Sequence, residues 1–408
     1  MTRASPIAPF LLATLLAAPV LPAAASDAAA VLAERARTLV GADQGVCVET
    51  EDGRVLVSQA AARAVHPASV SKLPTTLALL RRLGPDHRFT TRFLATGPLR
   101  DGVVDGDLVV EADGDPFFVD ENALLVAQAL KARGVRRIAG ELLLRGPLIF
   151  DWSTEGVASR LQRALSGGAS EEAWAALRAA SGGEIASGSP ALAFGAERRA
   201  ASAGAAPLAI HRSEPLVPLV KALNGYSNNV FHPFAASAGG MEVVEKIARE
   251  SVPAQMRGEI ILSNGAGAGA SNRLSPRAAV ALLRALAAEL ARHGLGLADV
   301  LPVSGIDSGT LLHRLDGPGE RGVIAGKTGT YGDYGASALA GAYRSRERGV
   351  VYFAVLNHGV PVPQARERQD AFARALLQEL PGEPWPYVRN EAPAFTRAQV
   401  QAEQGARP

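Results

Sequence analysis

The sequence predicts an α/β fold in which both ends of the chain build one domain and the middle is a β-rich insert. Three observations carry this. Helical patterns bracket the two ends. A trio of strand-like runs sits late in the chain, at Val323 to Thr330, Ser337 to Tyr343 and Val350 to Leu356. From about residue 88 to 214, strand-like runs alternate with Asp-Gly turns instead. The chain has 408 residues, 48% hydrophobic and 20% charged, which is ample for a large core. The expected organisation is a signal peptide over 1–25, one domain from 27–87 and 215–380, an insert over 88–214, and a loose tail over 381–408.

In chain order, the N-terminus reads as an export signal. Arg3 gives a positive start, Ile7 to Val20 is almost wholly apolar, and Ala23-Ala24-Ala25 offers small residues for cleavage before Ser26-Asp27. The apolar run falls short of the ~20 residues that a spanning helix needs, and Pro9 and Pro19 interrupt it. No later segment has the length and continuity of a span, so a periplasmic protein without a stable membrane span is expected. An alanine-rich helix follows over 27–41. Gly45 to Val57 reads as a hairpin turning at Glu51-Asp52-Gly53. A helix opens at Ser69 and runs to about Leu83, where Gly84-Pro85 stops it.

The insert shows strand-like runs at Thr90 to Ala95 and Gly106 to Glu111, with turns at Asp101-Gly102, Asp105-Gly106 and Asp113-Gly114. Leu124 to Arg133 reads as a short helix ended by Gly134, Ile138 to Arg145 as a strand, and Glu171 to Ala180 as a helix. Helical patterning resumes at Pro215. Ser275-Pro276 opens a long helix to about His293, with a capping residue, a proline in the first turn and Gly294 at the end. Gln364 to Leu380 is the last helix. The stretch from Pro381 is rich in Pro, Glu and Gln, hence the expectation of a loose tail.

Composition excludes several classes. Forty-two basic residues against 40 acidic ones leave a net charge of +2, with no basic stripe interleaved with aromatics, so no nucleic-acid partner is expected. One cysteine, Cys47, forbids an internal disulfide; in its apolar run it reads as a small buried hydrophobe. The seven histidines show no HExxH or paired spacing. The acidic series from Asp101 to Asp115 lacks the spacing of a calcium loop. No metal or cofactor is expected, and nothing signals an oligomeric state.

Three short motifs carry the chemistry: Ser69-Val70-Ser71-Lys72, Ser227-Asn228-Asn229 and Lys327-Thr328-Gly329-Thr330, or SxxK, SxN and KTGT in that order. A serine hydroxyl is a poor nucleophile until a base takes its proton. One helical turn places Lys72 beside Ser69. Lysine is a base only when neutral, and burial or a second cation such as Lys327 pushes it that way. Ser227 can relay a proton between Lys72 and a leaving amine. Asn229 can hold Lys72 or bind a substrate amide. Gly329 leaves a strand edge that another backbone can approach. The Ser69 and Thr330 amides suit an oxyanion, and Lys327, Thr328 and the Thr330 hydroxyl suit a carboxylate. The candidate catalytic residues are thus Ser69, Lys72, Ser227, Asn229 and Lys327, with Thr328, Gly329 and Thr330 binding substrate. Each motif alone is common in unrelated chains. Their order, and the element on which each falls, make the set specific.

At these residues the chain resembles the penicillin-binding-protein-4-type serine D-alanyl-D-alanine carboxypeptidases and endopeptidases, class C of the low-molecular-mass penicillin-binding proteins. Pro67-Ala68-Ser69-Val70-Ser71-Lys72 matches the nucleophile segment. Gly106-Asp107-Leu108, Gly114-Asp115-Pro116, Ser263-Asn264-Gly265-Ala266-Gly267, Asn272-Arg273-Leu274-Ser275-Pro276 and Leu301 to Asp307 with Gly309-Thr310-Leu311 also resemble the family. The resemblance implies a transpeptidase/β-lactamase-like domain, with an antiparallel sheet flanked by helices, interrupted by the insert. It implies removal of terminal D-Ala from peptidoglycan stem peptides through an acyl-enzyme on Ser69, DD-endopeptidase action on cross-links as a further reaction, and acylation by β-lactams. The chain departs from the pattern at Pro74 in the nucleophile helix, at Asn228, and at Val230-Phe231-His232-Pro233 after the second motif. Three rival readings stand beside this one. A β-lactamase of the class A type adds Glu-x-x-Leu-Asn, which is absent between Asn229 and Lys327. An esterase on the same scaffold, or a non-catalytic peptide-binding protein, would share the motifs; the intact Ser69, Lys72 and Lys327 argue against the last.

Overall fold

A computed structural model describes residues 23–182, 191–195, 205–332 and 335–403. Most of the expected signal segment therefore lies outside the described residues, and a helix begins at its end, Ala23–Arg35. The main sheet is antiparallel, in the order Ala325–Tyr331, Ala336–Ser345, Gly349–Asn357, Gly45–Glu49, Val55–Gln59. The N-terminal hairpin thus zips onto the late strand trio, with Cys47 opposite Ala354.

Two of the inner strands, Ala336–Ser345 and Gly349–Asn357, are buried on both faces, which is why they read as near-continuous apolar runs. In Ala336–Ser345 the alternation also sorts residues by size. Ala338, Ala340 and Ala342 face the core shared with the helices Lys72–Leu83 and Pro276–Ala291. Leu339, Tyr343, Phe353 and Val355 face the opposite core, against the helices Ala23–Arg35 and Val362–Glu379. Small residues on the first face let those helices approach closely. Cys47 is buried there, and burial pushes its thiol up to about 12, with Glu49 adding to the shift.

The middle segment has its own sheet and core. Its sheet runs Gln399–Ala402, Ala206–Arg212, Thr90–Ala95, Leu108–Ala112, Leu142–Arg145. Phe93, Leu108, Val110, Phe118, Leu130 and Leu161 fill the core beneath it. Leu108–Ala112 and Leu142–Arg145 pair in parallel, joined by a crossover through the helix Asp120–Ala132. The strand expected over Ile138 to Arg145 is broken. Arg137–Ile138 belongs to a separate small sheet, and only Leu142–Arg145 joins the larger one.

The stretch from Pro381 differs from the expected loose tail. Gly382–Glu383 pairs with Arg344 and Ser345 of the main sheet, and Gln399–Ala402 adds an edge strand to the middle segment's sheet. Phe395 is buried between them, and Arg397 donates to the buried Glu214 carboxylate at 2.5 Å. Composition misled here because one aromatic anchor and one buried ion pair hold a segment that is otherwise polar.

Candidate active site

The nucleophile segment is not helical in the expected way. Ala68–Ser71 is a single 3-10 turn, and the α-helix begins at Lys72. A 3-10 turn has three residues per turn, so positions i and i+3 stand directly over one another. Lys72 Nζ accordingly donates to Ser69 Oγ at 2.8 Å. Pro74 falls in the first turn of the α-helix, where proline is tolerated. It therefore fits without breaking the ladder.

The turn itself is strained and braced. Ala68 has φ 47°, a left-handed value for a residue with a side chain. Its N–H donates to His66 Nδ1 at 3.1 Å, and its carbonyl accepts from Ser71 Oγ at 2.8 Å. Because Nδ1 accepts, His66 is the neutral tautomer whose Nε2–H donates to Gly269 O at 2.9 Å. Burial holds its pKa below the ordinary histidine value, and the ring stacks on Tyr331 with centroids 4.5 Å apart.

Lys72 is fully buried and has a second anchor, the Ala266 carbonyl at 2.6 Å, which also accepts from Ser69 Oγ at 3.2 Å. That carbonyl belongs to a loop organised by two asparagines. Asn272 Oδ1 accepts from the Ser263 and Asn264 amides, and Asn264 Oδ1 accepts from the Ala266 and Ala268 amides. Burial pushes the Lys72 ammonium down to about 7. Lys327 is also fully buried and lies well below the ordinary lysine value, through burial first and the charge of Lys72 second. Burial alone accounts for Lys72, where the sequence had suggested Lys327 as a cause.

The second and third motifs meet each other. Ser227 ends the helix Leu216–Tyr226 in a left-handed conformation, φ 56°, which turns its side chain toward the sheet edge. Lys327 Nζ donates to Ser227 Oγ at 2.9 Å and to the Thr328 carbonyl at 2.8 Å. Lys72 makes no hydrogen bond to Ser227 or Asn229 among the described residues. The Ala266 carbonyl holds it instead.

Ala325–Tyr331 is the edge strand of the main sheet. Pro302 and Val303 cover its start, through Gly326 N–H donating to Pro302 O and a bridge from Val303 to Ala325. KTGT is left open. Gly329 is needed because the chain's own nucleophile turn lies against it: a Cβ there would sit 2.8 Å from Pro67 O and 3.0 Å from Ser69 N. The sequence had assigned that approach to substrate.

Ser69, Ser227, Asn229, Thr328 and Thr330 line one cleft of ≈ 320 Å³, together with Thr310, Arg314 and Arg366. Sequence reasoning missed those last three as site residues. Thr310 was noted only within a familiar segment. Its hydroxyl accepts from Thr328 Oγ1 at 2.7 Å, and its N–H donates to Gly225 O beside the SxN helix end. Arg314 is bound by Asp370, and Arg366 reaches Thr330 Oγ1 at 3.0 Å. His232 is exposed and outside the cleft.

The chain matches the model of the D-Ala-D-Ala carboxypeptidase 3 (S13) family over residues 25–151 and 195–379. It is 27% identical to carboxypeptidase DacB of Mycolicibacterium smegmatis over 391 residues, covering 86% of this chain and 83% of that protein. A D-alanyl-D-alanine carboxypeptidase of Actinomadura sp. is 40% identical over 106 residues, 26% of this chain and only 20% of that protein. Among solved structures, a predatory endopeptidase of Bdellovibrio bacteriovorus superposes with a TM-score of 0.72 at 22% identity, covering 88% of this chain and 99% of that one. Penicillin binding protein 4 of Haemophilus influenzae does so with 0.60 at 17% identity, covering 84% and 98%. These two show a shared fold. With most of the chain matched by one family model and the three motifs meeting in one cleft, this protein belongs to the D-Ala-D-Ala carboxypeptidase 3 (S13) family.

Proposed function

We propose that Ser69 forms the acyl-enzyme by which this D-Ala-D-Ala carboxypeptidase trims peptidoglycan stem peptides. The observation that carries this is the pair of Ser69 and a lysine whose pKa lies near neutrality: Lys72 Nζ is 2.8 Å from Ser69 Oγ, and burial has brought it to about 7. Neutral Lys72 takes the Ser69 proton as Oγ attacks the carbonyl of the penultimate D-Ala. The Ser69 and Thr330 amides receive the developing oxyanion, where one lost donor typically costs ~10²–10³ in rate. The proton that Lys72 took from Ser69 goes to the departing amine through the Ser227 hydroxyl, which gives its own proton to the amine and receives that of Lys72 once substrate fills the cleft, so both end the step as they began; Lys327 holds Ser227 in place, and Asn229 receives the substrate amide. Water then resolves the ester. Thr328 and Thr330 orient the leaving residue.

The same acyl-enzyme serves endopeptidase cleavage of cross-links, since only the leaving amine differs. The structural likeness to a Bdellovibrio endopeptidase supports this second reaction, and a protein of that kind has been captured acylated by penicillin G. The N-terminal export pattern supports a periplasmic location, and no helix among the described residues is long and apolar enough to cross a membrane.

Intact-mass and peptide mapping after benzylpenicillin tests the proposal. The expected result is one adduct, on the peptide containing Ser69. Ser69→Ala should lose both the adduct and D-Ala release. An adduct elsewhere, or D-Ala release retained by the variant, refutes it.

A further inference from the structure

Two cations line the catalytic cleft, Arg314 and Arg366, and two more, Lys72 and Lys327, are buried behind Ser69 and Ser227. Three of the four are engaged within the protein. Lys72 and Lys327 are fully buried, and burial favours their neutral forms. Arg314 spends its guanidinium on Asp370, with Nε at 3.0 Å from Oδ1, Nη2 at 2.6 Å from the same oxygen, and Nη2 also on Gln369 Oε1. Arg366 is different. It is exposed in the cleft wall, and no carboxylate pairs with it among the described residues. Its single hydrogen bond there is from Nη2 to Thr330 Oγ1 at 3.0 Å. That bond fixes one arm of the fork over the end of the KTGT strand and leaves the other N–H donors facing the cleft. Asp370, one turn further along the same helix, is already held by Arg314.

A peptide ending in D-Ala-D-Ala carries its free carboxylate one carbon from the scissile nitrogen. With its carbonyl at Ser69 and its leaving residue along the KTGT strand, as proposed above, this carboxylate would fall toward Thr328, Thr330 and Arg366, which line the same cleft. The threonine hydroxyls supply direction and no charge. We propose that Arg366 is the residue that reads this carboxylate and makes the enzyme select free-acid C-termini over neutral ones. The inference rests on the reading of the cleft as the site where Ser69 is acylated. It concerns a helix that carries none of the three motifs, on which nothing in the sequence marks a site residue.

The test compares one peptide ending in D-Ala-D-Ala with the same peptide as its C-terminal amide, in the full-length enzyme. The wild type should cleave the free acid with the higher kcat/KM. Arg366→Gln should lower kcat/KM for the acid roughly ten- to hundredfold, the scale of one lost charge-assisted hydrogen bond, and leave the amide nearly unchanged. Arg366→Lys, which keeps the charge and loses the fork, should fall between. Equal loss on both substrates, an unchanged ratio, or a wild type without preference overturns the assignment. Thermal melting and the Ser69 adduct after prolonged benzylpenicillin are followed in each variant. A normal adduct with an unchanged acid-to-amide ratio sinks the role of Arg366 alone, whereas no adduct in the wild type sinks the reading of the cleft.

Discussion

Gly267→Ala should uncouple the nucleophile from its base while leaving every motif residue in place. Gly267 has φ +86°, and an ideal Cβ there would stand 2.0 Å from Ala68 O, 2.4 Å from Ala68 C and 2.9 Å from Ser69 N. All three are backbone atoms, so no side chain can swing away. Restoring a tolerable 3.0 Å requires the loop and the nucleophile turn to part by about 1 Å. The loop side carries the Ala266 carbonyl, which holds Lys72 Nζ at 2.6 Å and Ser69 Oγ at 3.2 Å. The turn side carries both Ser69 and Lys72, so the parting loosens the shared anchor that orients the pair. A misplacement of about 1 Å in what orients reacting groups costs on the order of 10²-fold in rate, equivalent to ~2.7 kcal/mol of barrier. The left-handed backbone adds ~1–2 kcal/mol of instability. Gly294→Ala is the matched control: its φ is +70°, and nothing lies within 4 Å of where its Cβ would stand. It should show the same backbone cost with normal chemistry. Stopped-flow acylation by a fluorescent penicillin and urea unfolding separate the two effects. The reasoning fails if Gly267→Ala acylates within about threefold of wild type, or if Gly294→Ala is slowed as much.

Further outcomes follow from the buried groups. Neutral Lys72 is the base, so the acylation rate should rise with pH through about 7 and then level; a rate that falls across that range excludes Lys72 as base. The same shift has a stability consequence of definite sign. Between about 7 and the ordinary lysine value of 10.5, the unfolded chain holds a proton that folded Lys72 has lost, so stability rises with pH across that window. From pH 7 to 9 the Lys72 share is at most about 2–3 kcal/mol, and Lys72→Met should remove it; equal gains for both proteins in urea unfolding would contradict the assignment. His66→Leu leaves the Ala68 N–H without its acceptor, which should cost about 1–3 kcal/mol and slow acylation. Loss of stability with a wild-type acylation rate would show that His66 does not set the Ser69 turn.

The kinds of element and the chemistry-bearing side chains were legible in the chain alone. Alternation and apolar runs marked the late strand trio, and Ser275-Pro276 marked the start of a long helix that the structure places at Pro276–Ala291. KTGT fell on a strand, as the structure has it, and SxN near a helix junction, where the structure has a helix end, whereas SxxK precedes its α-helix in a 3-10 turn in place of the helix expected to open at Ser69. These features can be read because each is set by residues within a turn or two of one another. Which backbone atoms those side chains meet was settled by folding. Lys72 is held by the carbonyl of Ala266, and no residue type announces a carbonyl. Gly267 and Gly329 are required because another segment's backbone lies where a Cβ would be, a constraint set by distant chain. Arg366 enters the cleft because the last helix packs against the sheet whose edge strand bears Thr330. The tail from Pro381 is fastened by Phe395 and Arg397, whose partners lie in the middle segment. Local pattern encodes local geometry. Contacts made by backbone, or by single side chains across long separations, leave no periodic trace, so packing alone reveals them.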